Sequence, residues 1–199
     1  MTSNQRNLAV FATAAGLTGI ASAAYLGIGG VTDDHIRILL RLSARVAFVV
    51  LLLVFVARPL RQIFPSPATL KLLANRRLFG IAFAGIHTAH AALILYRAQQ
   101  VPSFEFTPSA NIPGLVTYGV IYLMLITSFD RPARALGRKA WKVLHKTGLY
   151  WLTFAFAQTQ LPDSLDDLSG LNWWLLALIG LALAIRLTAF FAKFQRATS

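Results

Sequence analysis

The stretch FGIAFAGIHTAHAALIL, residues 79–95, is an almost continuous apolar run in which two histidines are the only ionisable side chains. With its flanks it spans about 20 residues, the length with which an α-helix crosses the hydrocarbon core of a bilayer. His87 and His90 are spaced i and i+3, so one helix face carries both imidazoles. Ionisable groups at such a depth are costly, and they indicate a function.

The whole chain has the composition of a multi-pass membrane protein. Of its 199 residues, 56% are hydrophobic and 13% are charged, whereas about 25% are charged in ordinary soluble domains. Cysteine is absent, which excludes disulfides, iron–sulfur clusters and thiol chemistry. We predict one all-α domain over residues 1–199, a bundle of six transmembrane helices. The apolar segments lie at about 7–29, 36–57, 78–97, 113–129, 142–160 and 171–191.

The charges predict the orientation of this bundle. Most of the 19 Lys and Arg fall at one end, and all but one of the seven acids fall at the other. Basic loops stay in the cytoplasm, so both termini are predicted to be cytoplasmic. The net charge of +12 is then a topology signal, with some attraction to anionic lipid, rather than the mark of a nucleic-acid-binding protein.

The first apolar segment shares features with a signal peptide. It has a basic residue, Arg6, an apolar core and the small-residue sequence Ala21-Ser22-Ala23. The apolar run nevertheless continues to Ile28, which is long for a signal peptide. We therefore expect a retained first helix.

Three polar side chains share one predicted depth in the outer half of the bundle. His90, Arg45 and Gln158 each stand 13 residues from a basic residue or histidine at the predicted cytoplasmic boundary, a rise of about 20 Å. Neutral imidazole is a common ligand of haem iron. A guanidinium at that depth suits a haem propionate. An amide oxygen is a poor haem ligand, so Gln158 is expected to hold a water or a hydrogen bond on the open face of the iron.

His145 occupies a different level, in the first turn of the fifth segment and between Lys142 and Lys146. It therefore lies near the cytoplasmic interface. Upright helices would hold it too far from His90 for both imidazoles to ligate one iron, since each Fe–N bond is about 2 Å long.

Each of these residues also has a structural interpretation. His87 and His90 would be satisfied by hydroxyls or carbonyls of neighbouring helices, Gln158 by a helix–helix hydrogen bond, and Arg45 by snorkelling to the headgroups. A metal site for transport at the two histidines is a further alternative, which the absence of a membrane carboxylate disfavours.

Several motifs resemble the ferric-reductase-like transmembrane family, and most closely its haem-binding membrane subunits of bacterial periplasmic methionine-sulfoxide reductase systems. The similarity covers residues of about 32–160. It rests on the sequences ARPLRQ (57–62), RRLFGIAFAGIHTAH (76–90) and TSFDRPARALGRKAWKVLH (127–145). In that family a haem-ligating His follows an Arg-Arg pair by thirteen residues, and His90 matches it. Arg45 matches a membrane arginine of the family, and His145 matches the histidine that opens the fifth helix.

The resemblance also departs from the family at one position. The family has a second haem-ligating His where this chain has Gln158, and His87 is not part of the single-haem pattern. Two-haem oxidases of the same superfamily ligate an inner haem with a histidine fourteen residues before the outer ligand. This chain has Arg76 there, so the resemblance implies no inner haem. The resemblance thus implies one outer-leaflet haem b ligated by His90, with its sixth position facing Gln158 and empty, water-filled or weakly bound. It also allows His145 to help bind FMN or a quinone at the cytoplasmic face.

By the same resemblance, the protein is expected in the bacterial inner membrane as an electron-transfer subunit rather than a complete enzyme. It would take electrons from a cytoplasmic flavin reductase or the quinol pool and deliver them to a periplasmic redox partner. The alternative is a haem-free, non-catalytic membrane subunit or scaffold that retains the fold.

Overall fold

The computed structural model describes residues 2–101, 112–159 and 173–198, and all regular structure within them is α-helical. The helices, in chain order, are α1 (Ser3–Gly29), α2 (Asp33–Ile63), α3 (Pro67–Gln100), α4 (Ile112–Ile126), α5 (Asp130–Leu136), α6 (Arg138–Gln158) and α7 (Trp173–Thr198). The all-α prediction is confirmed for this part of the chain.

Four helices are long and apolar enough to cross a membrane: α1, α2, α3 and the Trp173–Lys193 part of α7. The pair α4 and α5 is bent by 105° and would make a fifth span if it crosses as one broken unit. Helix α6 has 21 residues and carries four Lys and Arg in its first three turns, and it is not in this set. The described residues therefore support four or five of the six predicted spans, and they make the chain a multi-pass membrane protein.

Residues 58–77 connect the second and third predicted apolar segments, which predicts a loop there. That prediction is wrong. Helix α2 continues to Ile63 and α3 begins at Pro67, so only residues 64–66 are not helical. Ser66 and Thr69 form a capping box, with their side chains accepting from each other's backbone N–H at 3.3 and 3.1 Å. Such a cap and a proline at the first helical position start a helix readily. Basic side chains end the apolar run there, but not the helix.

Helices α2 and α3 form the central pair of the described fold. Helix α1 packs on α3, α7 packs on α2, and α6 contacts both α4 and α2. At Gly85 an added Cβ would lie 2.6 Å from the carbonyl oxygen of Phe11, so α1 and α3 touch through their backbones. The main core is apolar and includes Phe48, Phe55, Phe83, Ile121, Leu152, Phe156 and Leu175.

The end of the bundle that carries the N-terminus of α1 is held together by Arg77. Its guanidinium donates to the carbonyl of Ser128 and to the hydroxyl of Ser3, the latter at 3.3 Å. It also pairs with Asp130 at 3.1 Å. This aspartate is the acid that the charge pattern left at the basic end, and Arg77 neutralises it. The opposite end is tied by Arg97 of α3, whose forked guanidinium binds the Asp33 carboxylate of α2 at 2.6 and 3.2 Å.

A third arginine, Arg186, makes its contacts inside the apolar span of α7. Its Nη1 donates to the carbonyl of Phe55 at 2.8 Å, and its Nη2 donates to the Tyr150 hydroxyl at 2.6 Å. The Phe55 carbonyl is the one that a residue at position 59 would normally satisfy through its N–H, and Pro59 has none. Arg186 therefore supplies the hydrogen bond that the proline removes, and it connects α7 to α2 and α6.

Candidate functional site

The centre of the candidate site is the contact between His90 of α3 and Ser43 of α2. The His90 Nδ1 and the Ser43 Oγ are 2.8 Å apart. Ser43 is buried, and His90 is partly buried. The contact crosses the central helix pair. It also fixes the height of His90 relative to α2, placing it level with residues 43–45.

His87, one turn before His90, lies in an aromatic environment. Its ring stacks on Phe83 with centroids 4.8 Å apart and on His90 at 5.3 Å. The His87 ring also contacts Phe156 of α6 and Tyr118 of α4, with ring centroids 5.2 and 5.8 Å apart. The prediction that the two imidazoles share one face is confirmed by their contact.

The hydrogen bonding of the two histidines differs. The Nδ1 of His87 is buried and has no hydrogen-bond partner among the described residues, a situation that costs about 1–3 kcal/mol. The Nδ1 of His90 is bonded to Ser43, which leaves Nε2 as the nitrogen for a ligand. An imidazole whose Nδ1 is already bonded, next to the aromatic rings that surround His87, fits an apolar planar cofactor such as haem with His90 as an axial ligand.

Arg45 lies at the predicted level but on a different side of α2. Two residues turn a helix by about 200°, so Arg45 points away from the Ser43 direction. Its guanidinium carbon is 5.9 Å from the centroid of the Trp174 ring on α7, within cation–π distance. The proposed pairing with a propionate is not tested by this contact.

Gln158 is the last residue of α6, and its side chain is exposed. Thirteen residues from His145 correspond to about 220° around a regular helix, whereas eleven residues return to nearly the same face. The side chain that α6 presents to His87 is accordingly Phe156. The role of Gln158 at a sixth ligand position stays a prediction.

His145 is engaged near the bend between α4 and α5. Its Nε2 is 3.0 Å from the Thr127 hydroxyl, and its ring stacks on Trp141 with centroids 4.1 Å apart. The Trp141 indole N–H in turn donates to the Thr127 carbonyl at 2.8 Å. An open groove of about 420 Å³ adjoins Trp141, and Arg134 and Arg138 also line it. His145 thus has a structural role, and the predicted FMN or quinone contact is not tested.

No group of three or more metal-ligating side chains (His, Cys, Asp or Glu) comes together in the part of the chain that is described. A protein-built metal site, as the transport alternative would need, has no such cluster here. Haem iron has a smaller requirement because the porphyrin supplies the equatorial ligands and the protein only the axial ones. One imidazole is enough for that.

Sequence reasoning missed Ser43 and Phe156. Ser43 could have been found, because it is a polar residue in an apolar helix at the level inferred for His90. Phe156 could have been found from the helical period, which places it three turns after His145 on the same face. The aromatic shell around His87 could not have been found in this way. Its members Phe83, Tyr118 and Phe156 come from three helices, and the sequence does not show how those helices pack.

The fold and the site together define a multi-pass helical membrane protein in which a histidine pair on α3 contacts α2 through His90 and α4 and α6 through His87. Residues 43–157 match the family model of the ferric reductase like transmembrane component, and the chain belongs to this family. The matched region begins at Ser43 and contains His87, His90 and His145, but ends one residue before Gln158. Comparisons with curated proteins and with solved structures found no match.

Proposed function

We propose that this protein is a membrane cytochrome of b type that carries electrons across the bilayer. The observation that carries the proposal is the geometry of His90, whose Nδ1 is bonded to Ser43 so that Nε2 remains for iron. This imidazole lies within the residues that match the family, and domains of this family generally bind haem. The membrane electron-transfer module is thus the function that family and geometry support together.

Each residue of the site has one role in this proposal. His90 would hold the iron as the proximal ligand, and the Phe83 and Phe156 rings exclude water from the neighbouring imidazole of His87. Arg45 would neutralise a propionate, and Gln158 would face the sixth position without a strong bond to the metal. A bound haem supplies one-electron exchange between ferrous and ferric iron.

The charge pattern supports the orientation of the bundle, and the family resemblance supports the direction of transfer. We infer six spans with both termini in the cytoplasm, because the basic end of the bundle carries the N-terminus of α1 and the Arg77 contacts. The donor would be a cytoplasmic flavin reductase or the quinol pool, with FMN or a quinone near His145 as the local carrier. The acceptor would be a periplasmic redox protein, as in methionine-sulfoxide reductase systems, and the membrane the bacterial inner membrane.

A second candidate function is a haem-free membrane scaffold. Two observations favour it: Phe156 occupies the position on α6 that faces His87, and Ser43 already satisfies one nitrogen of His90. In this account the histidine pair is an interhelical contact. The orphaned Nδ1 of His87 has no partner in either account, so it does not separate the two.

Transfer across a bilayer tests the proposed function directly. We expect that liposomes holding the haem-replete protein and trapped ferricyanide will reduce the ferricyanide when reduced FMN is added outside. Each FMNH₂ loses two electrons and two protons, and each ferricyanide gains one electron. The rate should exceed that of protein-free liposomes at least tenfold, and it should fall to their level in His90→Ala. Equal rates for His90→Ala and the unaltered protein would contradict the proposal.

A further inference from the structure

Ser43 is a buried serine within the apolar part of α2, and its hydroxyl makes three close contacts. It lies 2.8 Å from the Leu39 carbonyl, 3.1 Å from the Leu40 carbonyl and 2.8 Å from the His90 Nδ1. Two of these partners belong to its own helix, and the third belongs to α3.

A hydroxyl carries a single hydrogen, which limits how these contacts can be made. Carbonyl oxygens only accept, so a bond from Ser43 to the backbone must use that hydrogen. The preceding-turn carbonyl of Leu39 is the usual acceptor for a helical serine. The contact to His90 then requires that the imidazole donate, with its proton on Nδ1.

We propose that Ser43 is a positioning residue that holds His90 in the tautomer with the proton on Nδ1 and thereby aims an unprotonated Nε2 at the iron. The assignment of Nε2 to iron rests on the proposed function, whereas the tautomer itself does not. Ser43 would also limit rotation of the ring about its side-chain bonds. Its hydroxyl is thus an outer partner of the haem ligand.

Such an outer hydrogen bond changes the chemistry of a ligating imidazole. Donation from Nδ1–H raises the electron density at Nε2, which strengthens its bond to the metal and stabilises the ferric state. Losing an outer partner of a metal ligand typically weakens metal affinity by about 10–100-fold. Removal of the Ser43 hydroxyl should therefore weaken haem retention and shift the reduction potential to a higher value.

The first arm of the test needs no haem. In ¹⁵N-histidine-labelled protein purified without haem, NMR should show His90 protonated at Nδ1 and bare at Nε2. The four histidines of the chain are assigned with single substitutions. Ser43→Ala should convert His90 to a mixture with the Nε2-protonated tautomer, and Ser43→Thr should restore the original form because its hydroxyl can make the same bonds. An Nε2-protonated His90 in the unaltered protein would overturn the proposal.

Ser22 offers a matched control on α1. It is buried like Ser43, and its hydroxyl donates to the Thr18 carbonyl at 2.8 Å, four residues earlier. Ser22→Ala removes the same kind of helical hydrogen bond but should leave the His90 tautomer unchanged. An equal tautomer change in Ser22→Ala and Ser43→Ala would show a general packing effect and overturn the proposal.

The second arm uses the haem-loaded protein. Potentiometric titration of the Soret band should give a higher midpoint potential for Ser43→Ala than for the unaltered protein, Ser43→Thr and Ser22→Ala. An unchanged potential in Ser43→Ala would contradict the role of Ser43 in tuning the ligand. Absence of haem from every variant would instead overturn the proposed function, and the NMR result would still decide the tautomer.

Discussion

His90→Ala is expected to purify without haem, whereas His87→Ala should retain about as much haem as the unaltered protein. The two histidines are one turn apart and their rings are stacked, so the substitutions disturb almost the same volume. They differ in their bonding. His90 has its Nδ1 bonded to Ser43, with Nε2 left for a metal, while the Nδ1 of His87 is orphaned among aromatic rings.

If His90 is the proximal ligand, as proposed, its loss removes most of the binding free energy that the iron contributes. The measurement is the Soret absorbance relative to protein for each variant purified from haem-replete cells. His35→Ala is a control, because His35 bonds to the Gly30 carbonyl at 2.9 Å, at the opposite end of α2 from Pro59. Full haem content in His90→Ala, or loss in His87→Ala alone, would contradict the ligand assignment.

Arg186→Met is expected to lower the free energy of unfolding by about 2–4 kcal/mol. The change leaves the Phe55 carbonyl without its donor, at about 1–3 kcal/mol for an unsatisfied buried group. It also removes cation–π contacts with Phe55 and Tyr150, whose ring centroids lie 4.1 and 4.6 Å from the guanidinium carbon, at up to about 2 kcal/mol in a desolvated setting. Unfolding by SDS in mixed micelles measures the loss.

Pro59 provides an internal control for this prediction. Pro59→Ala restores a backbone N–H that can bond the Phe55 carbonyl within α2. Arg186→Met should then cost about 1–2 kcal/mol less in the Pro59→Ala background than alone, which a double-mutant cycle reports as coupling. Lys193→Met, at the end of the same span and exposed, should be nearly neutral. Zero coupling between positions 59 and 186 would show that Arg186 does not replace the missing donor.

The sequence predicted the helical class, which is confirmed for the described residues, and it placed His90 at the height of Arg45. Apolar runs of membrane length and the separation of basic and acidic residues were sufficient for the first. For the second, the constant rise per residue of a helix placed His90 level with Arg45, and the Ser43 contact to His90 agrees with that height.

Helix ends were less predictable, because hydropathy detects where the apolar run stops rather than where hydrogen bonding stops. Residues 58–77 are charged but almost entirely helical. A basic residue such as Arg186 is expected at the end of an apolar run, yet Arg186 bonds a carbonyl inside the apolar region. Proline's missing N–H could have suggested this partnership, but only the packing of α7 on α2 shows which arginine supplies the bond.

The directional facing of side chains was the least predictable feature. Depth is one coordinate, and rotation about the helix axis is another that depends on neighbouring helices. Arg45 and Gln158 match His90 in predicted height, but Arg45 contacts Trp174 and Gln158 is exposed at the end of α6. Predicting the aromatic shell around His87 would require the relative positions of three helices, α3, α4 and α6.

Optical spectra of the purified protein test the central claim most directly. Protein from haem-replete cells should show a Soret band and a reduced-minus-oxidised difference spectrum of b type. Carbon monoxide should change the spectrum of the reduced form, because the chain has Gln158 at the position where the family resemblance implies a second histidine, and an amide is a poor haem ligand. A spectrum insensitive to carbon monoxide would contradict the open sixth position, and the absence of any Soret band would contradict the cytochrome account itself.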